Sequence, residues 1–307
     1  RDAFDSIVNC GGKGDITLLE DNNQSWNARW KMLESAESTI NSQYFIFNKD
    51  IFGMAMLGML YKKATQDDVK VRMMVDASGD GTGLKGFKSH IGGKDYLQEL
   101  VDTGNVEAKV YHPFWKRIID QAIVVSGTAI LAGNHDKIIE VDGKRGITGG
   151  RNISRHYFES ASDSKEAYRD TDNAFEGREP AMALRSAFDV EFGAAWITQK
   201  VRGDWFGNWR KRDGELMGAY AMMDTWLKEK PLNETEQKAI RSSKTAQMSQ
   251  AKQLMAAVKK RLPEDGFTRE LNKREEKALM AQALELVKSV ELRGTYNDPL
   301  PPSHKGD

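Results

Sequence analysis

The feature that most constrains this chain is the order of strand-like and helix-like stretches over its first two hundred residues. Trp26 to Thr39 places Trp26, Trp30 and Leu33 at helical spacing. Thr39-Ile-Asn-Ser-Gln-Tyr-Phe-Ile-Phe47 then reads as a strand. Residues 51–66 form an apolar, Met-rich helix in which Met54, Met56 and Met59 serve as core filling. Val69 to Val75 is a second strand, ending at Asp76, and Ser78 to Gly83 is a flexible loop behind it. Residues 92–103 suit a helix and Val106 to Tyr111 a third strand. This β-α-β-α-β order predicts an α/β fold, a mostly parallel or mixed sheet flanked by helices. Ligands on such sheets sit at the carboxyl ends of the strands.

After about residue 204 strand signals stop and helix formers take over. The predicted division is a sheet domain over 1–204, a helical hairpin region over 205–293 and a linker-like tail over 294–307. Asn233 with Glu236, and Asn272 with Glu275, match the capping-box spacing. Ile240, Gln247, Leu254, Val258 and Leu262 mark one helix face, and Leu279, Leu286, Val287 and Val290 another. Pro263 to Gly266 separates them. Trp205, Trp209 and Trp226 read as packing residues of this region, with a membrane-interface role as the alternative.

Composition removes several classes. Lys+Arg and Asp+Glu both number 45, so no global charge points to nucleic acid or acidic lipid. The one cysteine, Cys10, rules out an internal disulfide and a cysteine-rich zinc site. Five scattered histidines leave little for a multi-histidine metal site, and no cofactor is expected. No uncharged apolar run reaches the roughly 20 residues that span a bilayer. The chain begins at Arg1, so either a signal peptide, an anchor or a longer N-terminus was removed upstream, or the chain is a fragment.

One stretch carries chemistry: His135-Asp-Lys137, four residues, Asp142, six residues, Gly149-Gly150-Arg-Asn152. Read as a strand from His135 to Val141, it projects an imidazole and an ammonium side by side on one face. Asp142-Gly143 is a hairpin turn signal, and Asp142 suits a turn-stabilising role at least as well as direct chemistry. Gly149 and Gly150 let backbone approach a ligand closely, and Asn152 offers an amide donor. Such a cationic, donor-rich pocket suits a phosphate.

This pattern resembles the signature of the phospholipase D superfamily at every defined position. Asn41 to Phe47 is similar to the family's first strand and Val71 to Asp76 to its second. His112-Pro-Phe114 sits where cardiolipin-synthase-like members carry Asn-Pro-Phe. Tyr168-Arg-Asp170-Thr-Asp172, Glu176-Gly177 and Phe188 to Trp196 resemble the end of their first half. The likeness covers roughly residues 15–197 and says nothing of the helical region.

The resemblance implies two such motifs sharing one site. One histidine attacks phosphorus and becomes phosphohistidine; the other protonates the leaving alcohol and then activates water or an acceptor alcohol. It implies His135, Lys137, Asp142, Asn152 and Asp170 as catalytic residues. Lys137, Gly149, Gly150 and Asn152 would face the phosphate. Asp170 resembles the acid that sets the histidine tautomer, with Asp172 in reserve, while His112 and His156 read as peripheral. Since His90, His112, His156 and His304 lack a lysine two positions on, a second half is expected, from a separate or downstream polypeptide, the favoured reading with this chain as the first half, or from a second copy of the chain. The implied substrate is a phospholipid, with residues 118–134 as a candidate acyl-chain groove, peripheral membrane contact and a bacterial envelope setting. A homodimeric nuclease and a non-catalytic assembly half are the alternatives; the near-neutral charge argues against nucleic acid.

Overall fold

A computed structural model of the chain describes residues 13–77, 95–113, 134–202 and 211–305. Nine strands form one mixed sheet: β1 (Asp15–Leu19), β2 (Thr39–Tyr44), β3 (Lys70–Asp76), β4 (Val106–Tyr111), β5 (Ile138–Val141), β6 (Arg145–Gly149), β7 (Asp172–Glu176), β8 (Thr198–Lys200) and β9 (His304–Lys305). Their order is β8-β4-β3-β2-β5-β6-β7-β1-β9. Parallel pairing is confined to β2, β3 and β4, and every other neighbouring pair is antiparallel. The sheet is therefore mixed rather than mostly parallel. Beyond the three strands joined by helical crossovers, the chain turns back through the β5–β6 hairpin. There Asp142 and Gly143 both take positive φ, 57° and 66°.

The helices are α1 (Asn22–Glu34), α2 (Ile51–Gln66), α3 (Tyr96–Val101), α4 (Arg155–Phe158), α5 (Arg178–Gly193), α6 (Asp213–Lys228), α7 (Glu234–Ser242), α8 (Lys244–Arg261) and α9 (Lys273–Leu286). Helix α1 starts and stops earlier than its Trp spacing predicts. Asp21 caps it by accepting from Gln24 N at 2.9 Å. At its far end the backbone N–H groups of Glu37, Ser38 and Thr39 are drawn off to the Asp142 carboxylate.

On one face of the sheet, α2 is apolar almost all round, with Ile51 to Leu60 buried without a break. It lies against α6, where a side chain at Gly58 would sit 2.1 Å from Leu216 O. One continuous apolar core runs from Trp26 and Phe52 through Leu216 and Trp226 to Leu279 and Leu286. Trp226 is fully buried and donates Nε1–H to Ser289 O at 3.0 Å, so it packs rather than anchors. Trp205 and Trp209 lie outside the described residues. The predicted hairpin corresponds to α8 and α9, preceded by α6 and α7, and both capping boxes form, at Asn233 and Asn272. The other face is covered by α5, through Phe188 and Phe192 on Met74.

Register decides where the chemistry gathers. Gln43 near the end of β2 faces Ile138 at the start of β5, and Gly149 at the end of β6 faces Asp172 at the start of β7. These positions share one edge of the sheet with the carboxyl ends of β3 and β4.

Candidate active site

The strand predicted from His135 begins at Ile138, and residues 134–137 precede it without ladder pairing. Past Tyr44 the β2 backbone leaves β5 and joins residues 152–154. Ile153 N donates to Ile46 O at 3.1 Å, and Asn48 N donates to Ile153 O at 2.9 Å. His135 and Lys137 remain close even so. Lys137 Nζ lies 3.0 Å from His135 Nδ1 and also donates to His135 O. The imidazole is exposed and leans on Phe45, ring centres 4.9 Å apart. Lys137 is buried. Burial holds its ammonium below the ordinary lysine value, against the opposing pull of Asp136, Asp170 and Asp172. An ammonium donating to Nδ1 leaves the proton of a neutral ring on Nε2.

Asp170 was expected to hold that ring nitrogen. Among the described residues the polar partner of Nδ1 is Lys137, not a carboxylate. Asp170 instead crosses the glycine pair: a side chain at Gly150 would meet Asp170 Oδ1 at 1.8 Å. One at Gly149 would meet Asp172 Oδ1 at 2.4 Å and Thr171 O at 2.5 Å. The room at these glycines thus admits the 170–172 segment, and Gly150 N donates to Thr171 O at 3.0 Å. Asp170 still contributes charge at Lys137 and Arg151.

Asp172, the reserve choice, is committed elsewhere. It is fully buried and accepts from Ser25 Oγ at 2.6 Å, Arg29 Nη1 at 3.0 Å and Arg151 Nη1 at 3.0 Å. Burial alone would raise its carboxyl, but the Arg29 and Arg151 guanidinium groups with Ser25 hold it below the ordinary value. Asn152 is also engaged: Oδ1 accepts from Ile46 N at 2.9 Å and Nδ2 donates to Tyr157 Oη at 3.0 Å. It ties the β2 extension to α4.

Asp142 is not brought to His135. The four residues of β5 separate it from Lys137, at about 3.3 Å each. Its carboxylate accepts from the backbone N–H groups of Glu37, Ser38 and Thr39 at 2.8–2.9 Å. Burial opposes this arrangement, but those bonds and Ser38 Oγ hold it below its usual value. His112 is buried after β4, donating its N–H to Ile197 O at 2.8 Å, and His156 Nδ1 sits 3.7 Å from Glu166. Phe114, residues 118–133 of the apolar segment and the Ser78–Gly83 loop lie outside the described residues.

No family model matches the chain. Among curated proteins it is 26% identical over 189 residues to a probable cardiolipin synthase, YwiE, of Bacillus subtilis, a match covering 60% of this chain and 33% of that protein. It is 28% identical over 148 residues to cardiolipin synthase C of Escherichia coli, covering 48% of this chain and 29% of that one. The chain is thus similar to bacterial cardiolipin synthases over part of its length. It spans about a third of the length of the curated relatives it matches. Among solved structures, a phospholipase D family member, Nuc of Salmonella typhimurium, aligns with a TM-score of 0.40 at 13% identity, over 62% of this chain and 99% of that one. Among the described residues no helix is long and apolar enough to cross a membrane.

Four residues around His135 and Lys137 escaped the sequence reading: Gln43, Asp76, Asn134 and Glu191. Asn134 N donates to Asp76 Oδ2 at 2.7 Å, and Asn134 Oδ1 accepts from Gln43 Nε2 at 3.0 Å. Both Gln43 Nε2 and Asn134 Nδ2 donate to the Glu191 carboxylate. The available signals were Asp76 closing its strand and Asn134 directly preceding His135.

Proposed function

We propose that the chain supplies one half of a phosphodiester-cleaving site acting on phospholipids, His135 being one of two reacting imidazoles. Lys137 stabilises charge on the non-bridging phosphoryl oxygens. One imidazole attacks phosphorus as the bond to the leaving alcohol breaks, and the other gives that oxygen a proton. Water or an acceptor alcohol then attacks the phosphohistidine and frees the imidazole, so each step exchanges one P–O or P–N bond for another. The second His-x-Lys pair comes from another polypeptide or a second copy of the chain. Membrane contact is peripheral, through the phospholipid itself.

The observation that carries this reading is a buried ammonium 3.0 Å from an exposed imidazole, where β2 ends beside the start of β5, in a chain similar to cardiolipin synthases. The test offers phospholipid vesicles and short DNA to the chain, alone and with any co-purifying polypeptide, with intact mass and sizing read in parallel. Headgroup release or transfer without DNA cleavage is expected, and only when two motifs are present. DNA cleavage without lipid turnover would overturn the phospholipid assignment.

A further inference from the structure

We propose that Asn134 is a positioning residue for His135 and that Glu191, on α5, acts on the imidazole through it. The assignment rests on the reading of His135 as a reacting group. Because β5 begins only at Ile138, no strand ladder orients the backbone that carries His135. Side chains hold it. Asn134 Oδ1 accepts from Asp136 N at 2.8 Å, an Asx turn with His135 as its middle residue. The same oxygen accepts from Gln43 Nε2 at 3.0 Å, and Asn134 N donates to Asp76 Oδ2 at 2.7 Å. Asn134 Nδ2 donates to Glu191. The turn is thereby bound to β2, β3 and α5 at once.

An amide only 6% exposed, using its oxygen twice and its nitrogen once, is an unusual outlay for a four-residue lead-in to a strand. Its geometric effect falls on His135. With Asp136 N held back toward Asn134, the ring is set against Phe45 and presents Nδ1 to Lys137. Among the described residues no hydrogen bond joins Glu191 to the imidazole or the ammonium; its bonded path to them runs through Asn134 and Gln43. A reacting nitrogen displaced by about 1 Å loses on the order of a hundredfold in rate.

The readout is the ring itself, in the full chain, by 15N chemical shifts of the imidazole, with H135N assigning the signal. The unsubstituted chain should show Nδ1 as an acceptor and the proton on Nε2. Asn134→Ala should move the His135 ring shifts toward the tautomer mixture of a free imidazole. Asn134→Asp keeps the acceptor for Asp136 N and should restore much of the order, while Glu191→Ala should fall between. In a turnover-competent assembly, kcat should drop about 10- to 100-fold in Asn134→Ala with KM nearly unchanged. Should Asn134→Ala fail to fold, Asn134→Asp and Glu191→Ala report the same signal. Unchanged ring shifts in folded Asn134→Ala, or in Glu191→Ala, would overturn the positioning role. Disordered rings in these variants, with H135N still turning over phospholipid, would keep it and remove the functional reading instead.

Discussion

The two ends of the β5–β6 hairpin carry residues of one contiguous motif yet are held by opposite means. At the turn end, one carboxylate, Asp142, gathers three backbone N–H groups and clasps the entry of β2. At the other end the backbone outside the ladder is bound by side-chain amides, Asn134 and Asn152, and the ion cluster of Asp172, Arg29 and Arg151. Residues that share a motif therefore need not share a site. A four-residue strand is long enough to put chemistry at one end and architecture at the other.

Substitutions can break this contrast. The largest expected effect is on activity: His135→Asn should cut turnover at least several thousand-fold, on the order seen when a catalytic unit is broken, with the denaturation midpoint little changed. Turnover near wild type would remove His135 from the chemistry. Next comes Asp172→Asn, which removes the one carboxylate that both buried guanidinium groups bond. It should cost about 3–5 kcal/mol in urea unfolding. A loss under 1 kcal/mol would show that the site end does not lean on this cluster.

At the turn end, Asp142→Ala should cost about 2 kcal/mol, since charged acceptors of several backbone donors are lost. Activity per folded molecule should persist. The Asp142 carboxyl is lowered on folding, so its contribution is present above its unfolded value of 3.8 and is lost as pH falls through the folded value. The gap between wild type and Asp142→Ala should therefore narrow in acid. Comparable stability loss accompanied by dead enzyme at neutral pH would place Asp142 in the chemistry after all.

The smallest effect concerns how the site end rests on α9. Glu285 accepts from Ile51 N at 3.2 Å and lies 3.9 Å from Arg155, in the helix that follows Asn152. Burial, with Asp50 and Glu159 nearby, pushes its carboxyl up to about 7 from 4.5. The folded chain then holds this proton more tightly than the unfolded chain. This group's contribution is therefore full below 4.5 and declines as pH rises toward 7. Glu285→Gln should stabilise the protein by about 1 kcal/mol at pH 8 and flatten the slope of melting temperature against pH between 4.5 and 7. An unchanged slope would take Glu285 out of that window.

Long, strongly patterned elements were legible in the sequence. Helix α2 and strand β4 fall where periodicity puts them, and the Asp142-Gly143 turn and both capping boxes are local signals that nothing distant overrides. The proximity of His135 and Lys137 was legible, but the strand beneath them was not. Its start depends on the β2 backbone switching partner after Tyr44, far away in the sequence. Asn134 was invisible for the same reason: Gln43, Asp76 and Glu191 lie 91, 58 and 57 positions off. Asp172 read only as the reserve tautomer acid because neither Arg29 nor Arg151 announces a partner locally.

The missing side chain at Gly58 has a further consequence. It lets Leu216 and Tyr220 press directly onto the α2 backbone, so the C-terminal helices roof a flank that water would otherwise wet. A polypeptide shortened before α6 would bare a greasy stripe from Met54 to Leu60 and should clump instead of refolding. Whatever else those helices do, gene rearrangement is not free to discard them.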